Sequence, residues 1–202
     1  MNSSRDPRAC IIQDHRLVGV PFIESPNQNE RPDPQEIELV VIHAISLPPG
    51  QFETPGVTQL FTNALDPKAH PYYAEIEALR VSAHLLIQRS GAITQYVAFD
   101  RRAWHAGVST WRGRAICNDF SIGIEMEGTE DQPFEPLQYE ALNQVLEALI
   151  SEYPRLSRTT IAGHEDIAPG RKWDPGPYFE WARIGVGAVS YTHLTLPTIL
   201  LV

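Results

Sequence analysis

IELVVIHAI, Ile37 to Ile45, is β-branched and almost wholly apolar. Such a run reads as a strand buried on both faces near the centre of an α/β sheet. His43 falls near its C-terminal end, where open α/β sheets tend to build sites. A metal-ligating imidazole and a satisfied core histidine are both open readings there. FSIGIEME, Phe120 to Glu127, has the same character and predicts a second buried strand. Glu125 lies inside that run. A buried carboxylate is costly unless it is paired or bound, and Glu is depleted from strands. The alternative is an outward-facing residue on a half-exposed strand, with Glu127 as its like-facing neighbour.

VSAHLLIQRSGAITQYVAF predicts a hairpin, with Val81 to Ile87 and Ala92 to Phe99 joined through Arg89-Ser90-Gly91. PLQYEALNQVLEALISEY, Pro136 to Tyr153, predicts the main helix. Its apolar stripe is Leu137, Ala141, Leu142, Val145, Leu146, Leu149 and Ile150, with Pro136 suited to the first turn and Pro154 to the stop. Thr159 to Ala162 reads as a short strand, and Tyr178 to Ile184 as a closing helical turn or two. Ser46 to Tyr73 is Pro-rich, with one short helix expected at Val57 to Leu65. A loop of that length covers a substrate or is a solvated insertion. DRRAWHAGVSTWRGR, Asp100 to Arg114, is a polar loop. Its Trp104, His105 and Trp111 suit either stacking on a ligand or packing.

GHEDIAPGRKWDPGP, Gly163 to Pro177, holds His164, Lys172 and Asp174 in one segment broken by Pro169, Gly170, Pro175 and Gly176, and reads as mostly loop. A His and an Asp there are good zinc ligands, and a Lys between them can steady developing negative charge. A catalytic zinc takes three protein ligands and keeps one position for water. His43 is the best candidate for the third. Two His, one Asp and a buried-strand Glu are the parts of a zinc hydrolase, in which the ion lowers the pKa of water to about 7 and a carboxylate outside its ligand set moves the proton.

The whole chain of 202 residues is 43% apolar and 20% charged, the composition of an ordinary globular protein with room for a core. A net charge of −9 disfavours nucleic acid as partner. Residues 1 to 10 lack the apolar core of a signal peptide, and no run approaches the roughly 18 apolar residues of a membrane helix. Cys10 and Cys117 are expected to be reduced thiols in a cytoplasm. AVSYTHLTLPTILLV, residues 188 to 202, does not continue the preceding pattern and reads as adapter or vector sequence, which leaves His193 out of the candidate ligands and residues 1 to 187 as one domain.

Taken together, VVIHAISLPPGQF, LFTNALDPKAHPYYAEIEALRVSAHLLI, FDRRAWHAGVS, CNDFSIGIEMEG, AGHEDIAPGRKWDPGP and FEWAR, in this order, resemble the AmpD-type N-acetylmuramoyl-L-alanine amidases, within the wider group of zinc amidases and peptidoglycan-recognition proteins. The resemblance covers roughly Leu17 to Arg183. It implies a mixed central β-sheet packed by helices, with a cleft on one side. It implies Zn2+ on His43, His164 and Asp174, with Glu125 activating water and Lys172 facing the oxyanion. Arg80 would help hold the acidic end of the substrate, and Trp104 and His105 would sit beside the cleft. The implied substrate is an anhydro-N-acetylmuramyl-peptide of wall recycling, cut in the cytoplasm between the lactyl group and L-alanine. No membrane or nucleic-acid partner is expected from the run lengths and charge, and a monomer is expected because no long exposed apolar stripe asks for a partner. Two positions depart from the pattern. Ala44 stands where an Asn usually follows the first His ligand and contributes polar contacts near the peptide, and Ile116 stands where an Arg is usual. A fragment-binding module without catalysis is the alternative, disfavoured because all three ligands are present. A secreted wall lysin is disfavoured by the acidic balance.

Overall fold

The computed structural model describes residues 10–129 and 131–186. The tail from 188 to 202, with His193 and the domain boundary before it, lies outside the described residues. At the centre is a mixed sheet of five strands, β1 (Leu39–Ile45), β2 (Leu85–Ile87), β3 (Ile93–Gln95), β4 (Ser121–Glu127) and β5 (Ile161–Gly163). They lie in the order β5-β1-β4-β2-β3. Neighbours are parallel except β2 and β3, which form the expected hairpin as an antiparallel edge.

Strand alternation sorts the residues of β1 and β4 onto two faces. Val40 and Ile42 of β1, with Ile122, Ile124 and Met126 of β4, enter one large core against helix α3 (Pro136–Glu152). Leu39 and Val41 turn the other way, into a smaller cluster with Ala106, Phe120 and Ile167. Both faces of β1 are therefore covered, which is why its sequence is a continuous apolar run. His43 continues the Leu39–Val41 row. In register it stands beside Glu125, as Val41 stands beside Gly123.

Helix α3 begins at Pro136, with Gln138 Oε1 accepting from the Glu135 backbone N–H at 3.0 Å. Ala141, Leu142, Val145, Leu146 and Leu149 are buried as the periodicity requires. Leu137 is not core and is 53% exposed. At 100° per residue it sits roughly 120° from the middle of the buried row, on the helix flank.

The segment from Ser46 to Tyr73 carries more structure than one short helix. Helix α1 (Gly56–Phe61) and helix α2 (Pro71–Ile76) pack through Leu47, Val57, Leu60, Phe61 and Tyr73 into a core of their own with Leu86 and Tyr96. Gly56 is required at the start of α1, because a Cβ there would lie 2.3 Å from Leu47 O. His70 caps α2, its Nδ1 accepting from Tyr72 N–H at 3.1 Å.

Candidate metal centre

Two chain segments bring the donors together. His43 is carried by β1, at the C-terminal side of the parallel strands. His164 and Asp174 come from the segment after β5. That segment opens as a short helix, α4 (His164–Ile167), where the sequence reading expected mostly loop. Asp166 Oδ2 accepts from Gly163 N–H at 2.7 Å and so caps the helix. The chain then turns back, and Glu165 N–H donates to Asp174 O at 2.9 Å. That bond closes the turn and sets the Asp174 side chain beside His164. A Cβ on Gly163 would lie 2.9 Å from Pro175 Cδ, so glycine is needed for the close approach.

The result is a triangle. His43 Nδ1 lies 3.0 Å from His164 Nδ1, and each lies 3.1 Å from Asp174 Oδ2. Among the described residues this is the group of donors placed to hold a metal ion. Tetrahedral bonds of about 2.0 Å would space such donors roughly 3.3 Å apart. The outer nitrogen of His164, Nε2, lies 3.1 Å from Ala106 O. Arg171 Nη2 is farther, at 3.4 Å, and the nearer carbonyl only accepts, so that nitrogen carries the proton and Nδ1 presents a lone pair to the triangle. Lone pairs gathered so closely call for a cation between them. Burial above all depresses His43 to about 4, with His164 adding and Asp174 opposing. Its imidazole is therefore neutral at pH 7, the form that binds metals.

Glu125 and Lys172 share the cleft with the triangle. Glu125 is buried, and its Oε2 has no hydrogen-bond partner. Burial, then the nearby Asp174 carboxylate, pushes the Glu125 carboxyl well above its ordinary range, with the Lys172 ammonium pulling the other way. An unpartnered buried carboxylate of raised pKa costs stability and is a candidate for proton transfer. The outward-facing alternative for Glu125 does not hold. Glu127 is buried too, but it is tied down, accepting from the backbone N–H groups of Glu53 and Arg89 at 2.6 and 3.1 Å.

The cleft has a volume of about 370 Å³. Its far wall is built by Ser46, Leu60, Tyr72 and Ile76 from the α1–α2 segment, so the Pro-rich stretch forms a wall of the site. Trp104 and His105 line it, and the Trp104 indole N–H donates to Asn29 Oδ1 at 2.6 Å. Ala44 lines it too, though it also packs against the large core on the α3 side. Arg80 does not line the cleft. It is exposed, and its Nη1 donates to Glu77 O and Leu79 O at 2.9 and 3.0 Å. A wider groove of about 910 Å³, beside Arg16, Phe22 and Asp100, gathers no such donor set among the described residues.

Residues that the sequence reading passed over hold the site from behind. Arg171 Nη2 donates to Ala106 O and Val108 O, both at 2.7 Å. Asn118 Oδ1 accepts from the backbone N–H groups of His105 and Ala106 at 3.1 and 2.8 Å. Gly123 was the readable signal, since a glycine inside a buried strand marks a close approach. A Cβ there would lie 2.5 Å from His105 Cγ.

A model of the N-acetylmuramoyl-L-alanine amidase family matches residues 33–177. The chain is 53% identical over 176 residues to 1,6-anhydro-N-acetylmuramyl-L-alanine amidase AmpD of Escherichia coli, covering 87% of this chain and 96% of that one. It is 55% identical over 183 residues to the AmpD of Haemophilus influenzae, covering 91% and 97%. A crystal structure of a selenomethionine AmpD derivative superposes with a TM-score of 0.84 at 51% identity, covering 87% of this chain and 97% of that one.

Proposed function

The chain belongs to the N-acetylmuramoyl-L-alanine amidase family, and from that premise we propose that it hydrolyses the amide between the lactyl group of 1,6-anhydro-N-acetylmuramic acid and L-alanine in muropeptides of wall recycling, with Zn2+ as its metal. The observation that carries this reading is the convergence of three acceptor atoms beside one unpartnered buried carboxylate. Two imidazoles and a carboxylate are a zinc donor set with a position left open. His43, His164 and Asp174 would hold the ion, which when bound lowers the pKa of water and polarises a carbonyl.

The remaining steps belong to the protein. The substrate lies in the cleft with its scissile carbonyl between the donor triangle and Lys172. Glu125 takes the proton of the attacking water, for which its raised pKa brings it nearer to neutral pH. The Lys172 ammonium faces the oxygen on which negative charge develops. Glu125 then returns the proton to the departing amine of L-alanine. Trp104 and the aliphatic wall of Leu60 and Ile76 offer surface to sugar and peptide. Ala44 leaves that stretch of the wall without a polar side chain, and Arg80 stands outside, beside the lining residues Leu79 and Val81, within reach of an acidic peptide end only if its side chain turns.

The amidase unit is one domain over residues 1–187 and works as a monomer. Support for the single domain comes from the family match over 33–177. A cytoplasmic setting is supported by Cys10 and Cys117 being free thiols. Among the described residues no helix is long and apolar enough to cross a membrane. The test is chemical. Release of the L-alanine-containing peptide from one defined anhydromuropeptide, followed by mass spectrometry, should stop after prolonged chelation and return with zinc. Release that persists through chelation removes the metal reading.

A further inference from the structure

The loop Trp104 to Val108 touches the donor triangle twice without adding a donor to it. His164 Nε2 reaches Ala106 O, and the outer nitrogen of His43, Nε2, lies 2.9 Å from His105 Nδ1. Two consecutive residues therefore stand behind the two imidazoles. The loop is pinned on both sides, by Asn118 through its backbone N–H groups and by Arg171 through its carbonyls. The His105 ring is seated over the bare Cα of Gly123, in space that any side chain there would fill.

The proton directions follow from what each atom can do. Behind His164 the nearer partner is the Ala106 carbonyl at 3.1 Å, against Arg171 Nη2 at 3.4 Å, and Nε2–H donates to the carbonyl. Behind His43 it is another imidazole, which could donate or accept. If His43 Nδ1 is to ligate, its proton must sit on Nε2 and be donated to His105 Nδ1. The His105 proton is then on Nε2, which lies 3.2 Å from Ser121 Oγ. Each nitrogen in this relay has a consistent role, and both ligand imidazoles are turned by one loop.

We infer that His105 is a positioning residue of the metal centre, resting on the zinc reading above. By accepting from His43 Nε2–H it holds His43 with Nδ1 turned toward the ion. This differs from a side chain that only stands beside substrate. An acceptor behind a ligating imidazole is typically worth 10–100-fold in metal affinity.

The experiment measures zinc affinity of the metal-stripped protein by competition with a chromophoric chelator. It compares wild type, His105→Leu and His105→Asn, with circular dichroism as the check on folding. Leucine keeps bulk without an acceptor, whereas the asparagine Oδ1 falls near the place of the imidazole Nδ1. His105→Leu should weaken zinc roughly 10–100-fold, and His105→Asn should recover most of that. KM for the anhydromuropeptide at saturating zinc is read alongside, because His105 also lines the cleft. Wild-type zinc affinity in His105→Leu together with a raised KM would make His105 a substrate contact and overturn the inference. Equal weakening in both variants would overturn it as well, by showing that volume rather than the acceptor matters. If His105→Leu does not fold, Ser121→Ala takes its place. It removes the far end of the relay and should weaken zinc severalfold, and unchanged affinity overturns the inference. A wild-type protein that binds no zinc at all is a separate result, which removes the zinc reading itself.

Discussion

His43 and Glu125 are register partners on adjacent parallel strands, and their neighbourhoods push them in opposite directions. Burial chiefly lowers the pKa of the imidazole and raises that of the carboxyl, each shifted toward its uncharged form. For Glu125 this has a sign that can be worked out. A carboxyl whose pKa is raised on folding binds its proton more tightly in the folded state. Its contribution to stability is present at low pH and is lost as pH rises through the folded pKa. In metal-free protein, Glu125→Gln should therefore raise the melting temperature at pH 8, with the gain shrinking as pH falls. The same substitution should cut turnover by roughly 10²–10⁴-fold, the range of a general base, while zinc still binds. Turnover close to wild type would remove Glu125 from the proposed chemistry, and an unchanged melting curve at pH 8 would contradict the burial penalty.

Helices α1 and α2 line the same cleft as the triangle, and their core, which includes Leu86 of β2, is distinct from the one under α3. Damage to that core should reach substrate before it reaches metal. Gly56→Ala places a methyl against Leu47 O and the Tyr73 hydroxyl, an overpacking that typically costs about 1–3 kcal/mol. We expect KM for the muropeptide to rise, with kcat and zinc affinity changed far less. Lost zinc affinity in Gly56→Ala would show that wall and metal centre are one unit. Prolines scattered through Ser46 to Tyr73 made this segment read as loop around the one short helix expected at Val57 to Leu65. Pro71 in fact opens α2, and the residues that pack the two helices are too few and too irregularly spaced to show a period. Helix α4 was hidden for a similar reason. At four residues it is too short to show a period, and it is held by Asp166 and by the Glu165–Asp174 backbone bond.

For the molecule as a whole, acid should release the metal and loosen the fold together. His43 titrates at about 4 when folded, against about 6.5 in an unfolded chain. Below about pH 6.5 the unfolded chain takes up the proton first, so stability falls as pH drops from there toward 4. Protons compete with zinc for the same nitrogen over that range. Zinc at 100 times its dissociation constant adds about 2.7 kcal/mol to the stability of the folded state. The gap in melting temperature between zinc-loaded and stripped protein should thus be wide at pH 7.5 and close on the way to pH 4. A gap that does not vary with pH would place the metal somewhere other than His43.

By itself the sequence determined the sheet and offered the candidate parts. Long β-branched apolar runs such as Ile37 to Ile45 and Phe120 to Glu127 read as buried strands, and the period of Leu142, Val145, Leu146 and Leu149 reads as a helix with one buried face. His43, Glu125, His164, Lys172 and Asp174 were recognisable because charged or imidazole groups in apolar or Gly–Pro surroundings need a reason to be there. Tertiary structure decided what each of them faces. Whether Nδ1 or Nε2 of His43 turns to the triangle, whether Glu125 finds a partner, and that Arg171 and Asn118 brace the loop behind the ligands all depend on atoms from distant segments meeting within about 3 Å. Hydrogen bonding and ligation act over that distance and are set by direction as well as by residue type. Periodicity and composition record how much of a segment is buried, and they carry no record of that direction.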